Sequence, residues 1–339
     1  MKLIPTVEAV GHVLCHDLTR IVPGVMKDAV FRKGHIVTAD DIPLLLSMGK
    51  ENLFVWEKLE GMVHEDEAAD FLYHLCAGKY MSPGAVKEGK INIHAECDGL
   101  LVVNEQRLQA VNELGDLMIA TRRSYRSVKK GDIIAGTRII PLMIDGVRLE
   151  EAKTQAGDEP LLQLRPFRSR RYAIIATGNE IANGMIEDAF TPVIKRKLEE
   201  YGCECIGSAF PGDDVNLITA AIHDFVKTGA AMVFCTGGMS VDPDDRTPLA
   251  ILRTGADIIT YGAPVLPGAM FLLAYLGSVP VVGLPGCVMY LGRTIFDLML
   301  PRLLADIEIN TKDIAKLGHG GLCMGCKCCS FPNCTFGVA

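Results

Sequence analysis

Between residues 171 and 305 the chain alternates two textures. Short continuous apolar runs, "YAIIAT" (172–177), "AAMVFCT" (230–236) and "VPVVGL" (279–284), read as strands covered on both faces. "CECIGSAF" (203–210), "IITYG" (258–262) and "MFLLAYL" (270–276) add further strands. Between them the apolar residues recur at helical spacing. "TPVIKRKLEEYG" (191–202) offers Thr191 as N-cap, Pro192 at the first helical position and Gly202 just past the end. "PGDDVNLITAAIHDFVKTG" (211–229) predicts an Asp-capped amphipathic helix, and "TPLAILRTG" (247–255) repeats the Thr-Pro start and glycine stop. "VMYLGRTIFDLMLPRLLA" (288–305) reads as one closing helix, and "GNEIANGMIED" (178–188) as a loop. Strands alternating with helices predict an α/β fold: a doubly wound, mostly parallel sheet with helices on both faces.

The first 160 residues predict an α+β accessory region, with room for two small subdomains. "TADDIPLLLSMG" (38–49), "EDEAADFLYHLCAG" (65–78) and "EQRLQAVNEL" (105–114) read as helices. "NLFVWE" (52–57), "INIHAECDGLLVVN" (91–104) and "VKKGDIIAGTRIIPLMIDG" (128–146) read as strands around glycine turns. The polar stretch "EAKTQAGDEP" (151–160) is the expected boundary, "RPFRSRR" (165–171) a linker, and 168–308 the α/β domain. Residues 258–291 carry no charge, which is long enough to span a bilayer. Four prolines and five glycines interrupt them, so buried strands fit and a membrane helix does not. A net charge of −7 argues against a nucleic-acid or anionic-membrane binder. The first residues show no signal peptide, so a cytoplasmic protein is expected.

Ligands of such sheets bind where the loops collect, at the carboxyl ends of the strands. Three glycine-bearing loops belong there. "TGGMSVDPDDRTP" (236–248) follows a strand with Gly237 and Gly238, whose backbone admits a close ligand. It also crowds Asp242, Asp244 and Asp245 together, which makes sense with a divalent cation between them and an anionic ligand; Mg²⁺ is often held by one or two carboxylates plus ligand oxygens. The alternative is that Asp244 and Asp245 merely precede and cap the next helix. The loop after the first strand presents Thr177, Gly178, Asn179 and Glu180, then Asp188, which equally reads as a helix-start acid. "GLPGC" (283–287) places glycine amides before the last helix.

These motifs together resemble the molybdopterin-binding domain of molybdenum-cofactor proteins, over residues 172 to about 305. The resemblance rests on "TGNEI" with "IED", "GDD" (212–214), "TGGMSV" with the following acids, "PVLPG" (264–268) and "GLPG" (283–286). The preceding half is similar, more loosely, to the accessory region of molybdopterin molybdenumtransferases. The resemblance implies a site for molybdopterin or its adenylylated form, with Mg²⁺ and molybdate, and insertion of molybdate into the pterin dithiolene. It implies Asp188 and Asp245 as catalytic acids. Its ligand contacts are Thr177, Gly178, Asn179, Glu180, Thr236, Gly237, Gly238, Ser240, Pro267, Gly268, Pro285 and Gly286. Asp242, Asp244 and Asp245 become the Mg²⁺ ligands. A homodimer and an apo-molybdoenzyme acceptor are further family expectations.

The chain departs from the family at two places. Where the family's insertases carry lysines, this segment reads "LPGAM", and "GLPGCVMY" replaces the usual "GLPGNP". Loss of those charges leaves a second reading open, a non-catalytic carrier of the cofactor. "DDRTP" (244–248) leaves a third, an adenylyl- or cytidylyltransferase-like step.

Of twelve cysteines, seven are scattered and five fall in "CMGCKCCSFPNC" (323–334). Cys323, Cys326, Cys328, Cys329 and Cys334, within a tail at 319–337 that starts with His319, have spacings that suit a tetrahedral Zn²⁺ or an Fe–S cluster.

Overall fold

The structure is a computed structural model describing residues 1–22, 26–56, 60–240, 242–243 and 245–337. Glu57 and Asp244, which the sequence assigned to a strand and to the candidate site, lie outside them. The chain divides into two compact units. One comprises Met1–Cys97, Val102–Ser124 and Lys129–Leu164, the other Asp98–Leu101, Tyr125–Val128 and Arg165–Ala339.

The first unit is α+β. Its largest sheet is antiparallel, in the order Met81–Pro83, Lys90–Ala95, Ile133–Ile139, Leu117–Thr121. The helix Glu65–Cys76 lies on this sheet through buried Ala68, Ala69, Leu72 and Cys76, and Thr137 Oγ1 donates to the Ala69 carbonyl at 3.2 Å. Two-stranded ladders join Lys2–Pro5 to Asn52–Val55 and Leu18–Val22 to Met26–Phe31. Residues 151–156, the first part of the expected boundary, are the end of a helix, Gly146–Ala156. Leu149, Ala152 and Ala156 form its buried stripe, too small and sparse to stand out against the polar residues around them.

The second unit holds a six-stranded sheet. Its strands are β1 (Arg171–Ala176), β2 (Glu204–Ala209), β3 (Met232–Thr236), β4 (Asp257–Tyr261), β5 (Leu272–Leu276) and β6 (Val279–Leu284), in spatial order β2-β1-β3-β6-β5-β4. The first four in that order are parallel; β5 runs antiparallel to β6, and β4, antiparallel to β5, returns to the direction of the first four. Helices α1 (Phe190–Glu199), α2 (Val215–Lys227), α3 (Thr247–Arg253) and α4 (Ile295–Leu304) belong to the same unit. Alternate residues of β1 enter opposite cores. Tyr172 and Ile174 pack with Ile194, Leu198, Phe234 and Phe296, which puts α1 and α4 on one face. Ala173 and Ile175 pack with Ile218, Ile222 and Ile251, which puts α2 and α3 on the other. That double covering is why these strands read as unbroken apolar runs.

Local starts differ from expectation in three places. Helix α1 begins at Phe190, and Asp188, not Thr191, caps it by accepting from the amides of Phe190 (2.9 Å) and Thr191 (3.2 Å). A short helix, Asn179–Ala182, interrupts the 178–188 loop. Residues 288–305 are not one helix: a 3₁₀ turn over Gly286–Met289 precedes α4, which Thr294 and Asp297 open as a reciprocal capping box. Among the described residues no helix is long and apolar enough to cross a membrane, and residues 258–291 are mostly strand and turn.

The second unit is discontinuous in sequence. Leu101 pairs with Arg126 and Gly99 with Val128 in an antiparallel ladder. The Arg126 guanidinium then donates to the carbonyls of Cys334 (3.2 Å) and Phe336 (2.7 Å).

Candidate functional site

The register of the sheet decides which loops meet. Ala176, Thr236 and Leu284 are consecutive partners at the carboxyl ends of β1, β3 and β6. Antiparallel β5 starts at the same edge, because Leu272 lies opposite both Gly283 and Tyr261. The loops 177–189, 210–214, 237–246, 262–271 and 285–294 therefore gather along one rim.

Three buried threonines knit the rim together. The Thr177 amide donates to the Thr236 carbonyl at 2.8 Å, and Thr177 Oγ1 lies 2.9 Å from Thr247 Oγ1. Gly237 and Gly238 adopt φ +82° and +52°, and a Cβ at Gly237 would stand 2.4 Å from the Thr177 carbonyl oxygen. Their lack of side chains serves loop-to-loop packing. The open positions are elsewhere: a Cβ at Gly286 or Gly292 would meet nothing within 4 Å. Gly268 is again a packing glycine, with Ile295 Cγ2 2.6 Å from a virtual Cβ, and the Pro267 carbonyl accepts from the Ile295 amide. Pro285 caps the 3₁₀ turn that holds Gly286.

The acids are used as loop ties. Asp245 Oδ2 accepts from the Ser240 amide at 2.7 Å, and the Asp245 amide donates to the Asp242 carbonyl at 2.9 Å, closing a tight turn. Asp242 is exposed on that turn. Asn179 and Asp213 hold each other reciprocally, amide to side chain, at 2.9 and 3.3 Å. This pair links the rims of β1 and β2; the sequence pointed to Asn179 and to "GDD" (212–214) separately but not to their pairing, and within the doublet Asp214 caps α2. Glu180 is exposed beside Gly178, its Oε2 3.5 Å from a virtual Cβ there. Tyr261, also missed, donates within 3.2 Å of the Met239 and Ser240 carbonyls. Burial, and then the Asp245 charge, push its hydroxyl above the usual value, so it remains a donor.

Thr236 Oγ1 is a buried oxygen without a hydrogen-bond partner among the described residues, at the centre of this rim. Glycine amides can donate to an anionic group, and the exposed apolar border of Leu266, Tyr290 and Leu291 can take a flat apolar body, while carboxylates facing an anion call for a cation between them. Among the described residues no group of three His, Cys, Asp or Glu side chains is assembled as a metal cage. Mg²⁺ is often held by only one or two carboxylates together with ligand oxygens and water. The five tail cysteines are likewise free and uncaged: Cys326, Cys328 and Cys329 are exposed, Cys323 and Cys334 half-buried.

Two family models match the chain. Residues 173–305 match one described as "Probable molybdopterin binding domain", and residues 3–57 match a "Domain of unknown function (DUF8806)". The "Molybdopterin molybdenumtransferase" of Synechococcus elongatus is 25% identical over 51% of this chain and 43% of its own. That of Bacillus subtilis is 23% identical over 70% of this chain and 54% of its own. A "CinA-like protein" of Thermosipho melanesiensis is 33% identical over 26% of this chain and 22% of its own. The chain thus spans less than two thirds of the length of each of these relatives. Residues 173–305 are similar to a molybdopterin-binding domain, and the chain is similar to molybdopterin molybdenumtransferases over part of their length.

Proposed function

We propose that the protein acts in molybdenum cofactor biosynthesis as a molybdopterin molybdenumtransferase, taking adenylylated molybdopterin and molybdate as substrates at the rim of the β1–β6 sheet. The observation that carries this reading is the match of residues 173–305 to a molybdopterin-binding family, whose motif segments are the loops gathered at that rim. The phosphate groups would lie against backbone amides of the open Gly286 turn, and the pterin against the apolar border. Mg²⁺, held by Asp242 and Asp245 with ligand oxygens, would supply the positive charge that lets these acids face an anion. Asp188 and Asp245 would orient it while the adenylyl–phosphate bond is hydrolysed and AMP leaves.

Asparagine variants test this cleanly. In Asp245→Asn and Asp188→Asn the side-chain oxygen still accepts from the Ser240 or Phe190 amide, so the turn and the helix cap stand. Only the charge is lost. AMP release from adenylylated molybdopterin with Mg²⁺ and molybdate should fall by about 100-fold or more in Asp245→Asn, with thermal unfolding unchanged. Undiminished AMP release in both variants would sink the assignment.

One observation favours a second reading, the carrier. The 264–269 segment offers no lysine to an oxyanion, and its Leu266 backbone is engaged on both sides by the tail, at Gly321 and Cys323. Tight pterin retention by the native chain without any AMP release would select it.

A further inference from the structure

The cysteine tail has an architecture of its own within the second unit. Its base is tied shut. The Gly337 amide donates to the Gly320 carbonyl at 2.9 Å, the Leu266 amide to Gly321 and the Cys323 amide to Leu266, both at 2.8 Å. Arg126 holds the Cys334 and Phe336 carbonyls, and Phe336 is buried. Between these anchors the backbone has little hydrogen bonding of its own. Among the described residues, the backbone from Met324 to Thr335 makes one internal backbone hydrogen bond, Asn333 to Ser330 at 2.7 Å. Ordered loops of this length without secondary structure need some other source of order.

Four of the five cysteines line one cavity of about 530 Å³: Cys323, Cys326, Cys329 and Cys334. Cys328 does not. The other walls are mostly apolar, with Leu266, Pro267, Phe331 and Phe336 among them. Arg293 lines the same cavity, its guanidinium carbon 4.9 Å from the Phe331 ring centroid. Soft thiol ligands, an apolar shell and a cation in the same cavity are the surroundings in which tetrahedral thiolate metal centres are built.

We propose that Cys323, Cys326, Cys329 and Cys334 bind one soft metal ion of the zinc class, with Cys328 outside the ligand set. No three of these thiols stand at caging distance in the present arrangement. Binding therefore draws the exposed 324–330 stretch inward around its fixed base, and each ligating thiol gives its proton to solvent. The cavity shares Leu266, Pro267 and Leu291 with the loops of the rim, but its four thiols lie in the tail and its test needs no pterin.

The full-length reduced protein is loaded with Zn²⁺ or Co²⁺ alone, desalted, and assayed for bound metal. We expect one ion per chain, a tetrahedral thiolate absorption spectrum for Co²⁺, and Zn²⁺ affinity that rises with pH. Serine at 323, 326, 329 or 334 should weaken Zn²⁺ by more than the roughly 10–100-fold that loss of an outer-shell partner costs; Cys328→Ser should bind as the parent does. Exposed Cys326 and Cys329 keep the test readable, since neither substitution disturbs the core. Absence of stoichiometric metal overturns the site. So does a Cys328→Ser variant as defective as the others, or undiminished binding in Cys326→Ser together with Cys329→Ser.

Discussion

At Gly237 one atom decides what a residue is for. A methyl there would sit 2.4 Å from the Thr177 carbonyl oxygen, with the backbone held at φ +82°. We predict that Gly237→Ala costs about 2 kcal/mol, read as a lower urea midpoint, whether or not pterin is present. A glycine kept only for ligand access would give an unchanged midpoint and a binding defect. The sequence exposed the glycine doublet but not its neighbour, since Thr177 arrives from a loop sixty residues earlier. Asp188 and Asp245 teach the same lesson: their helix-start and turn positions were legible, while the amides they accept from depend on how each loop closes.

Among elements, α4 shows what tertiary context adds. Its start is fixed by Thr294 and Asp297, and Asp297 also takes Lys197 Nζ at 2.6 Å and Arg293 at 2.8 Å. Lys197 and Asp297 are both buried. Asp297→Ala should therefore cost about 3–5 kcal/mol, because it strands the Lys197 charge; equilibrium denaturation of the full chain measures it, and a loss under 1 kcal/mol would contradict the account. The strands and helices of the α/β unit were legible because each is a short run with its own period and punctuation. The break before α4 was missed although Thr294 and Asp297 carry a capping-box spacing, because apolar residues continue across it. In the first unit, residues 151–156 were misread for the opposite reason, a helix whose buried face is mostly alanine.

For the molecule as a whole, the division into units could not be read from sequence order. Composition suggested a cut near 151–160, yet residues 98–101 and 125–128 belong with the second unit. No local pattern marks a strand pair as the property of a sheet built from distant residues. Arg126 is the residue that closes this arrangement. Arg126→Ala should cost about 1.5–3 kcal/mol for each charge-assisted bond lost and should speed amide exchange over 331–337, measured by mass spectrometry. Unaltered exchange there would mean the tail is anchored by other contacts.

That closure sets a timetable for biosynthesis. The Phe336 carbonyl lies 210 positions downstream of the guanidinium that binds it. At ordinary translation rates, roughly 10–40 s separate the emergence of the two from the ribosome. Throughout that interval the early strand pair waits with a cationic side chain meant for the interior, so the second unit completes itself late, while the first is free to fold as it is made.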